Sequence, residues 1–487
     1  MNLLLRGHTF RYEMERLTMM FFPLRKIDWF FDSAPAGQDY VLAQVERTGE
    51  ALTLTAGLAD GKNPLQTAQL PPDTPDSELE LALGRLLYGA LRQATGITPP
   101  WGILTGVRPV KLLRELYENC GSQQAALDAF AGRYLVTPGK VELARQTEWY
   151  ERQILDSGRP LDFSLYVSIP FCPTRCRYCS FVSHGIQQAR RLLPQYLDTL
   201  CAELADTADL ARSLGLRLKT VYFGGGTPTT LSARELERLM QTVARCFDLS
   251  SVTEYTVEAG RPDTITGEKL AVIRDNGARR VSVNPQTFRD DVLRNIGRSH
   301  TVQQFFESYE LARRAGFDCV NIDLIAGLPG DDLPGFCAGV DQAVALAPEN
   351  ITLHTLSIKR AAVLSEDRLQ LLQREYGMAV EMVDYGYRAF SAAGYHPYYL
   401  YRQRNTAGNL ENTGFARPGR DGQYNVFIMA ETQTILAAGA GAVTKAVHPR
   451  TGQVLRVYNH KYPYEYIARY QELKERKLQL RGFFASN

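Results

Sequence analysis

The chain has 487 residues, a formal net charge of +2, 45% hydrophobic and 22% charged residues. That length suits roughly two to four domains with ordinary buried cores, and a near-neutral charge gives no bulk drive toward nucleic acid or membrane surfaces. No apolar run is long enough to span a bilayer. The opening stretch MNLLLRGHTFRYEMERL is broken by Arg6 and later charges, so no signal core is expected. A cytoplasmic chain with its eight cysteines reduced is the expectation.

Residues 1 to about 70 alternate short β-like runs with turns, and DYVLAQVERTG followed by EALTLTAGL predicts a hairpin around Gly49. PDSELELALGRLLYGALRQATG then predicts a helix, with Ser77 as N-cap and Leu79, Leu83, Leu86 and Ala90 as its apolar stripe. More helix follows through GKVELARQTEWYERQIL, and DSGRP breaks the pattern at 156–160. We expect an N-terminal α+β domain over 1–160.

From residue 164 the texture changes. SLYVSIPF, TVYFGG, TEYTVEAG, RRVSVNPQT, CVNIDLIAGLP and ENITLHTLS are β-rich runs separated by helical segments such as SARELERLMQTVARCF and TVQQFFESYELARRAG. Six strands, each followed by a helix, predict a parallel sheet over 161–365 with right-handed crossovers and ligands at the carboxyl ends of the strands. An open doubly wound sheet and a barrel both fit that pattern. Beyond it, 366–487 reads as a C-terminal domain. It holds a long helix, the tyrosine-rich strand YHPYYLYRQRN, a Gly/Asn-rich loop and a mixed segment ending in basic helix. Alternation along that strand puts Tyr398, Leu400, Arg402 and Arg404 on one face.

IPFCPTRCRYCSF places Cys172, Cys176 and Cys179 just after the first barrel strand. Thiolates this dense suit a soft metal. A structural zinc with His184 as fourth ligand fits them, and so does a [4Fe–4S] cluster on three cysteines with one iron left open. Three core cysteines would fit poorly among Thr174, Arg175 and Arg177. The other five cysteines stand singly and read as small core residues.

YFGGGTPTT is a glycine-rich turn after the second strand, without the Lys-Ser/Thr of a P-loop. Glu258 ends the third strand and Gln286 the fourth. Arg298 lies in NIGRSH, and Asp323 is inside the apolar run VNIDLIAGLP, where a carboxylate needs a partner or a ligand. Each alone could be a structural cap or ion pair. Their placement at successive strand ends points to a shared site.

C-x3-C-x2-C resembles the signature of radical S-adenosylmethionine (SAM) enzymes, in which the amino and carboxylate groups of SAM chelate the open iron. One electron then cleaves SAM to methionine and a 5′-deoxyadenosyl radical. YVSIPFC, GGGTPT, VEAGRPDT, NPQTF and NIDLIAGLPG together resemble the oxygen-independent coproporphyrinogen III dehydrogenase family. WGILTGVRPVKLL (101–113) and GYHPYYLYRQRNTAGNLENTGFA extend the likeness to its HemZ-like branch. The resemblance implies a six-stranded partial (β/α) barrel closed over by a C-terminal domain. It implies SAM contacts from Tyr166, Gly225 and Glu258, and second-SAM contacts from Tyr178, Gly226, Thr227, Gln286, Arg298, Asp323 and Ser357. One [4Fe–4S] cluster and one or two SAM molecules are thus expected.

The implied reaction is oxidative decarboxylation of two propionates of coproporphyrinogen III to vinyls. It needs an electron donor and an acceptor but no nucleic acid or membrane partner. We expect Arg402 or Arg404 to pair with a propionate, because arginine's planar fork matches a carboxylate. The sequence departs from the oxidases at Phe181, where they have a fourth cysteine, and at Ser168, where they have histidine. The Cys-Ser-Phe ending resembles the heme-chaperone relatives, although their C-terminal His-Asn…Tyr-Trp segment is missing. These departures keep open a heme-binding or heme-delivery protein and another radical SAM reaction on a tetrapyrrole.

Overall fold

The computed structural model of the protein describes all residues other than 24, 32, 36, 180–183, 358–365, 404–405 and 487, and all their side chains other than those of 188, 366–376 and 407. The chain forms two compact units, one of residues 1–145, 357–380 and 401–411, the other of 146–356, 381–400 and 412–487.

The first unit holds five strands: β1 (Asn2–Arg6), β2 (Asp28–Phe30), β3 (Tyr40–Arg47), β4 (Leu52–Ala59) and β5 (Gln66–Leu70). They form one sheet in the order β2-β1-β3-β4-β5. The expected hairpin is β3–β4, closing at Arg47↔Leu52. Helices Arg11–Phe21 and Asp76–Thr95 bury Met14, Leu17, Leu79, Leu83 and Leu87 on this sheet. The second helix is not capped by Ser77: the Pro75 carbonyl accepts from the amides of Glu78 and Leu79, so Ser77 falls inside the first turn. Gly96 ends it in the left-handed conformation, at φ 71°.

Arg402, expected to pair with a propionate, also belongs to this unit, with its guanidinium turned to backbone carbonyls. It is 4% exposed, and its Nη1 donates to the carbonyls of Leu104 (2.7 Å) and Gly106 (3.2 Å). Burial lowers its pKa to about 10, with Glu411 opposing. Nearby, Glu411 takes the Lys140 ammonium (2.7 Å) and the Trp101 indole N–H (2.6 Å), fixing the first residue of the WGILTGVRPVKLL segment. Arg404 lies outside the described residues.

The second unit carries β6 (Asp162–Ile169), β7 (Phe171–Cys172), β8 (His184–Gly185), β9 (Arg217–Gly225), β10 (Glu254–Glu258), β11 (Arg280–Ser282), β12 (Cys319–Ala326), β13 (Asn350–Thr355), β14 (His396–Arg402), β15 (Glu411–Ala416), β16 (Thr434–Ala438), β17 (Val443–Val447) and β18 (Val454–Tyr458). The last residues of β14 and the first of β15 are shared with the first unit. β6, β9, β10, β11, β12 and β13 are parallel neighbours in sequence order. Each crossover adds its strand beside the last, with no reversal of order. That is the progression of a barrel wall rather than a doubly wound sheet, so the protein is α/β with a six-stranded partial (β/α) barrel. Crossover helices begin where the sequence says they should. Ser232–Glu235 and Thr301–Gln304 form capping boxes at the starts of Ala233–Cys246 and Val302–Arg314.

The C-terminal third adds to this sheet. β15 pairs antiparallel with β13, and β16 pairs parallel with β6 and leads into the β17–β18 hairpin. Glu203 locks this addition down by accepting from Lys477 Nζ (2.7 Å), Tyr466 Oη (2.6 Å), Asn459 Nδ2 (2.8 Å) and the Gly439 amide (2.7 Å). Among the described residues no helix is long and apolar enough to cross a membrane.

One face of the wall decides what the fold can do. Strand alternation puts Glu254, Thr256 and Glu258, then Arg280 and Ser282, Asn321 and Asp323, and Asn350, Thr352 and His354 on one side of the sheet. They bond to one another: Arg280 to Asn350 (2.5 Å), Thr352 to Asn321 (3.1 Å), Asn321 to Asp323 (2.8 Å). In a barrel packed as a core those positions would be branched apolar residues. Here they make a polar lining.

Candidate metal and cofactor site

The cysteine loop leaves β6 and is pinned on two sides. β7 pairs with β8, aligning Cys172 with Gly185, and the amide of Thr227 donates to the Phe171 carbonyl (2.8 Å). On the other side the amide of Arg177 donates to Ile296 O (3.0 Å) and the Thr174 hydroxyl to Gly297 O (3.3 Å). Cys172 Sγ lies 3.5 Å from Thr227 Oγ1, and Arg261 Nη1 lies 3.6 Å from Cys176 Sγ. Arg261 is itself buried, with Asp263 at 3.0 Å. Arg298 donates through Nε and Nη2 to the Tyr178 hydroxyl (3.3 and 3.1 Å) and through Nη1 to Gly260 O (2.9 Å). Two guanidinium groups thus stand beside a loop with three thiols and no carboxylate. That donor set and charge suit an anionic thiolate-ligated cluster. His184, the fourth ligand expected of the zinc alternative, sits on β8 with Nε2 buried and unbonded. Among the described residues, no three His, Cys, Asp or Glu side chains are gathered as a metal-holding set.

The glycine turn meets the end of β6 directly. Gly225 adopts φ 107°, where a Cβ would lie 2.9 Å from Ser168 Oγ; a Cβ on Gly226 would lie 2.6 Å from the Phe171 carbonyl oxygen. These glycines are required by the approach of two backbones, and they hold the turn against the cysteine loop. Ser168 donates to the Ala440 carbonyl (2.9 Å), in the loop that follows β16.

Glu258 ends β10 with the Tyr222 hydroxyl on Oε1 at 2.6 Å. Burial pushes its pKa to about 7; Tyr222 and His354 oppose the rise and the Asp323 charge adds to it. Tyr222 stacks on Tyr424 at 4.3 Å, and Tyr166 stacks on both at 6.2 and 6.1 Å. Burial, with Glu258 behind it, raises the Tyr166 phenol well above its ordinary pKa, so it stays neutral.

Asp323 accepts from Asn284 Nδ2 (2.6 Å) and Asn321 Nδ2 (2.8 Å) and lies 3.7 Å from His354 Nε2. Burial works to raise its pKa, but the nearby His354, with the Asn321 and Thr352 donors behind it, outweighs it, and the carboxyl stays below its usual range. Gln286 is buried in the left-handed region at φ 68°, locked by Gln286 N to Asp323 O (2.9 Å) and Ile325 N to Gln286 O (3.0 Å). Such strain in a non-glycine residue concentrates at functional sites. Ser357 lies in the other unit, bridged to Thr406.

The barrel therefore brings Cys172, Cys176, Tyr178, Gly225–Thr227 and Arg298 into one bonded frame, with Cys179 on the same loop. A second frame links Tyr166, Glu258, Gln286 and Asp323. Sequence reasoning missed Tyr222, Arg261, Asn284, His354, Asn412 and Tyr424. Two of these carried a legible mark: Asn350, Thr352 and His354 alternate as polar residues along a strand that should be buried, and Tyr222 alternates with Gly224.

The Radical SAM superfamily model matches residues 166–337. Over 452 residues the chain is 36% identical to the oxygen-independent coproporphyrinogen-III oxidase-like protein HemZ of Bacillus subtilis (strain 168), covering 91% of this chain and 90% of that protein. The chain belongs to this family of radical SAM proteins. The heme chaperone HemW of the same organism is 34% identical over 57% of this chain and 70% of its own. The solved coproporphyrinogen III oxidase HemN of Escherichia coli is 24% identical, covering 66% of this chain and 72% of that one, with TM-score 0.49. Radical SAM membership implies a [4Fe–4S] cluster and SAM. The matched region includes all three cysteines, the glycine turn, Glu258, Gln286, Arg298 and Asp323; Ser357, Arg402 and Arg404 lie beyond it.

Proposed function

We propose that the protein catalyses oxygen-independent oxidative decarboxylation of coproporphyrinogen III to protoporphyrinogen IX. The observation that carries this reading is the match to HemZ along both units, where the likeness to HemW covers 57% of the chain. In this reading Cys172, Cys176 and Cys179 hold one cluster. When bound, the cluster and SAM supply a one-electron reduction that yields a carbon radical able to take hydrogen from the propionate β-carbon.

The chain's own residues do the rest. Arg261 and Arg298 balance the charge of the cysteine loop, and Arg298 fixes Tyr178. The glycine turn and Thr227 hold that loop at the strand ends. Tyr222 presents Glu258, and Asn284 and Asn321 present Asp323, so that two carboxylates face a ligand carrying positive charge. Loss of CO2 leaves one electron for an acceptor, and no general base is needed.

Heme binding or delivery is the second reading, favoured by the HemW likeness. Anaerobic incubation of the cluster-loaded protein with SAM, a low-potential reductant and coproporphyrinogen III separates the two. The proposal expects protoporphyrinogen IX; stoichiometric heme binding without any turnover would overturn it.

A further inference from the structure

His354 is the least explained charged group of the barrel lining. It sits on β13 opposite Ile325, between Asp323 of β12 and Asn412 of β15. The amide of Thr355 donates to Asn412 Oδ1 (2.9 Å), which fixes that oxygen as an acceptor. His354 Nδ1 faces the same oxygen at 3.3 Å, so Nδ1 must carry a proton. Nε2 is left to face Asp323 Oδ2 at 3.7 Å. The charged groups that face the ring are Asp323 and, from β10, Glu258; Asn412 is neutral. Burial works against protonation, but the nearby Asp323 carboxylate overcomes it and raises the imidazole pKa.

This cluster is not closed. His354 keeps 27% of its side-chain surface accessible and Asp323 keeps 18%. Two side chains that touch the pair, Asn284 (8% exposed) and Asn412 (1% exposed), hold buried atoms without a partner, Asn284 Oδ1 and Asn412 Nδ2. Polar atoms left so deep usually meet a ligand or an ordered water. A ligand that arrives here meets two carboxylates already shared with an imidazole that Asp323 holds toward its charged form.

We propose that His354 is a positioning residue that couples capture of a cationic ligand at Asp323 and Glu258 to release of a proton. The inference rests on the reading that SAM contacts these carboxylates. The SAM sulfonium close to Asp323 replaces the imidazolium as its counter-charge. The His354 pKa then falls and Nε2 gives up its proton, while Nδ1 stays bonded to Asn412. Glu258, poised near neutrality, loses its residual proton in the same event. Binding therefore strengthens as pH rises, by up to about tenfold per pH unit for each proton released, and levels off once the free site is deprotonated. A neutral ligand of the same shape lacks this dependence.

Calorimetric titration of anaerobic, cluster-loaded protein in two buffers of different ionisation enthalpy counts the protons directly. The probes are SAM and S-adenosylhomocysteine, whose thioether is uncharged. The wild type should release more protons with SAM than with S-adenosylhomocysteine between pH 6 and 8. His354→Gln keeps a donor for Asn412 and should lose the His354 share, leaving that of Glu258. Asn412→Asp places a carboxylate beside Nδ1 and should move the release window up by about one pH unit or more. Thermal unfolding of each variant checks that it is folded. Equal proton release by wild type and His354→Gln, or an unmoved window in Asn412→Asp, overturns the inference and leaves the functional reading standing. Failure of the wild type to bind SAM at all overturns both.

Discussion

The Tyr222 hydroxyl donates to Glu258 Oε1 across 2.6 Å, and it is the strongest of the contacts that hold this buried carboxylate toward its charged form. Tyr222→Phe removes it. Glu258 should then be protonated over more of the neutral range, and SAM affinity at pH 7 should fall. A hydrogen bond to a charged group contributes about 1.5–3 kcal/mol, so the loss should be on the order of tenfold or more. Binding measured at pH 7 and again at pH 8.5 should show partial recovery at the higher pH. Equal affinities for wild type and Tyr222→Phe at both values would remove Glu258 from the SAM site.

Glu258 also gives stability a pH dependence. Its folded value, about 7, lies above the ordinary 4.5 of the unfolded chain. Its favourable contribution is therefore fully present below pH 4.5 and is lost as pH rises through about 7. Glu258→Gln should match the wild type at low pH and exceed it at pH 8, in cofactor-free protein, by about 3 kcal/mol at most. Denaturant unfolding at the two pH values reads this. A variant less stable than wild type at pH 8 would mean that the carboxylate is stabilised by more than Tyr222.

Lys477 and Glu203 form a buried pair at 2.7 Å, 7% and 1% exposed, that fastens the C-terminal helix Tyr470–Ala485 to helix Leu193–Ser213 of the barrel. Lys477→Met leaves a buried carboxylate with only neutral donors. That should cost about 3–5 kcal/mol, while the double change Lys477→Met with Glu203→Gln should recover much of it. Chemical denaturation of the single and double variants is the check.

Arg402→Ala should act on stability rather than on substrate affinity. Its guanidinium serves the carbonyls of Leu104 and Gly106, and each buried group left unsatisfied costs on the order of 1–3 kcal/mol. A lowered unfolding midpoint with unchanged affinity for coproporphyrinogen III is expected. Weakened affinity at unchanged stability would restore a propionate role.

The barrel was legible because its six strands are apolar runs bounded by helix caps that can be read locally, such as Ser232–Glu235. The cysteine triplet and the carboxylates of Glu258 and Asp323 stood out for the same reason: local chemistry that a core would not tolerate. What stayed hidden depends on register. His354 meets Asp323 only because β13 lies beside β12 with Asp323 opposite Thr352. β16 lies in what reads only as a mixed segment of a separate domain, and its place in the sheet shows only through its pairing with β6. Arg402 was expected to face a propionate because alternation says which residues share a face, not whether that face is covered; β14 is buried on both. Ser77 was a reasonable cap by residue type, displaced because the Pro75 carbonyl starts the helix two residues earlier.

The central claim is that this family member decarboxylates coproporphyrinogen III with its three-cysteine cluster. The most direct test is an anaerobic reaction of reconstituted protein with SAM, reductant and coproporphyrinogen III, counting CO2, 5′-deoxyadenosine and protoporphyrinogen IX together. The account predicts two CO2 and at least two 5′-deoxyadenosine per protoporphyrinogen IX, and none of the three from Cys176→Ala. SAM cleavage that yields no CO2, in a protein that instead binds heme stoichiometrically, would contradict it.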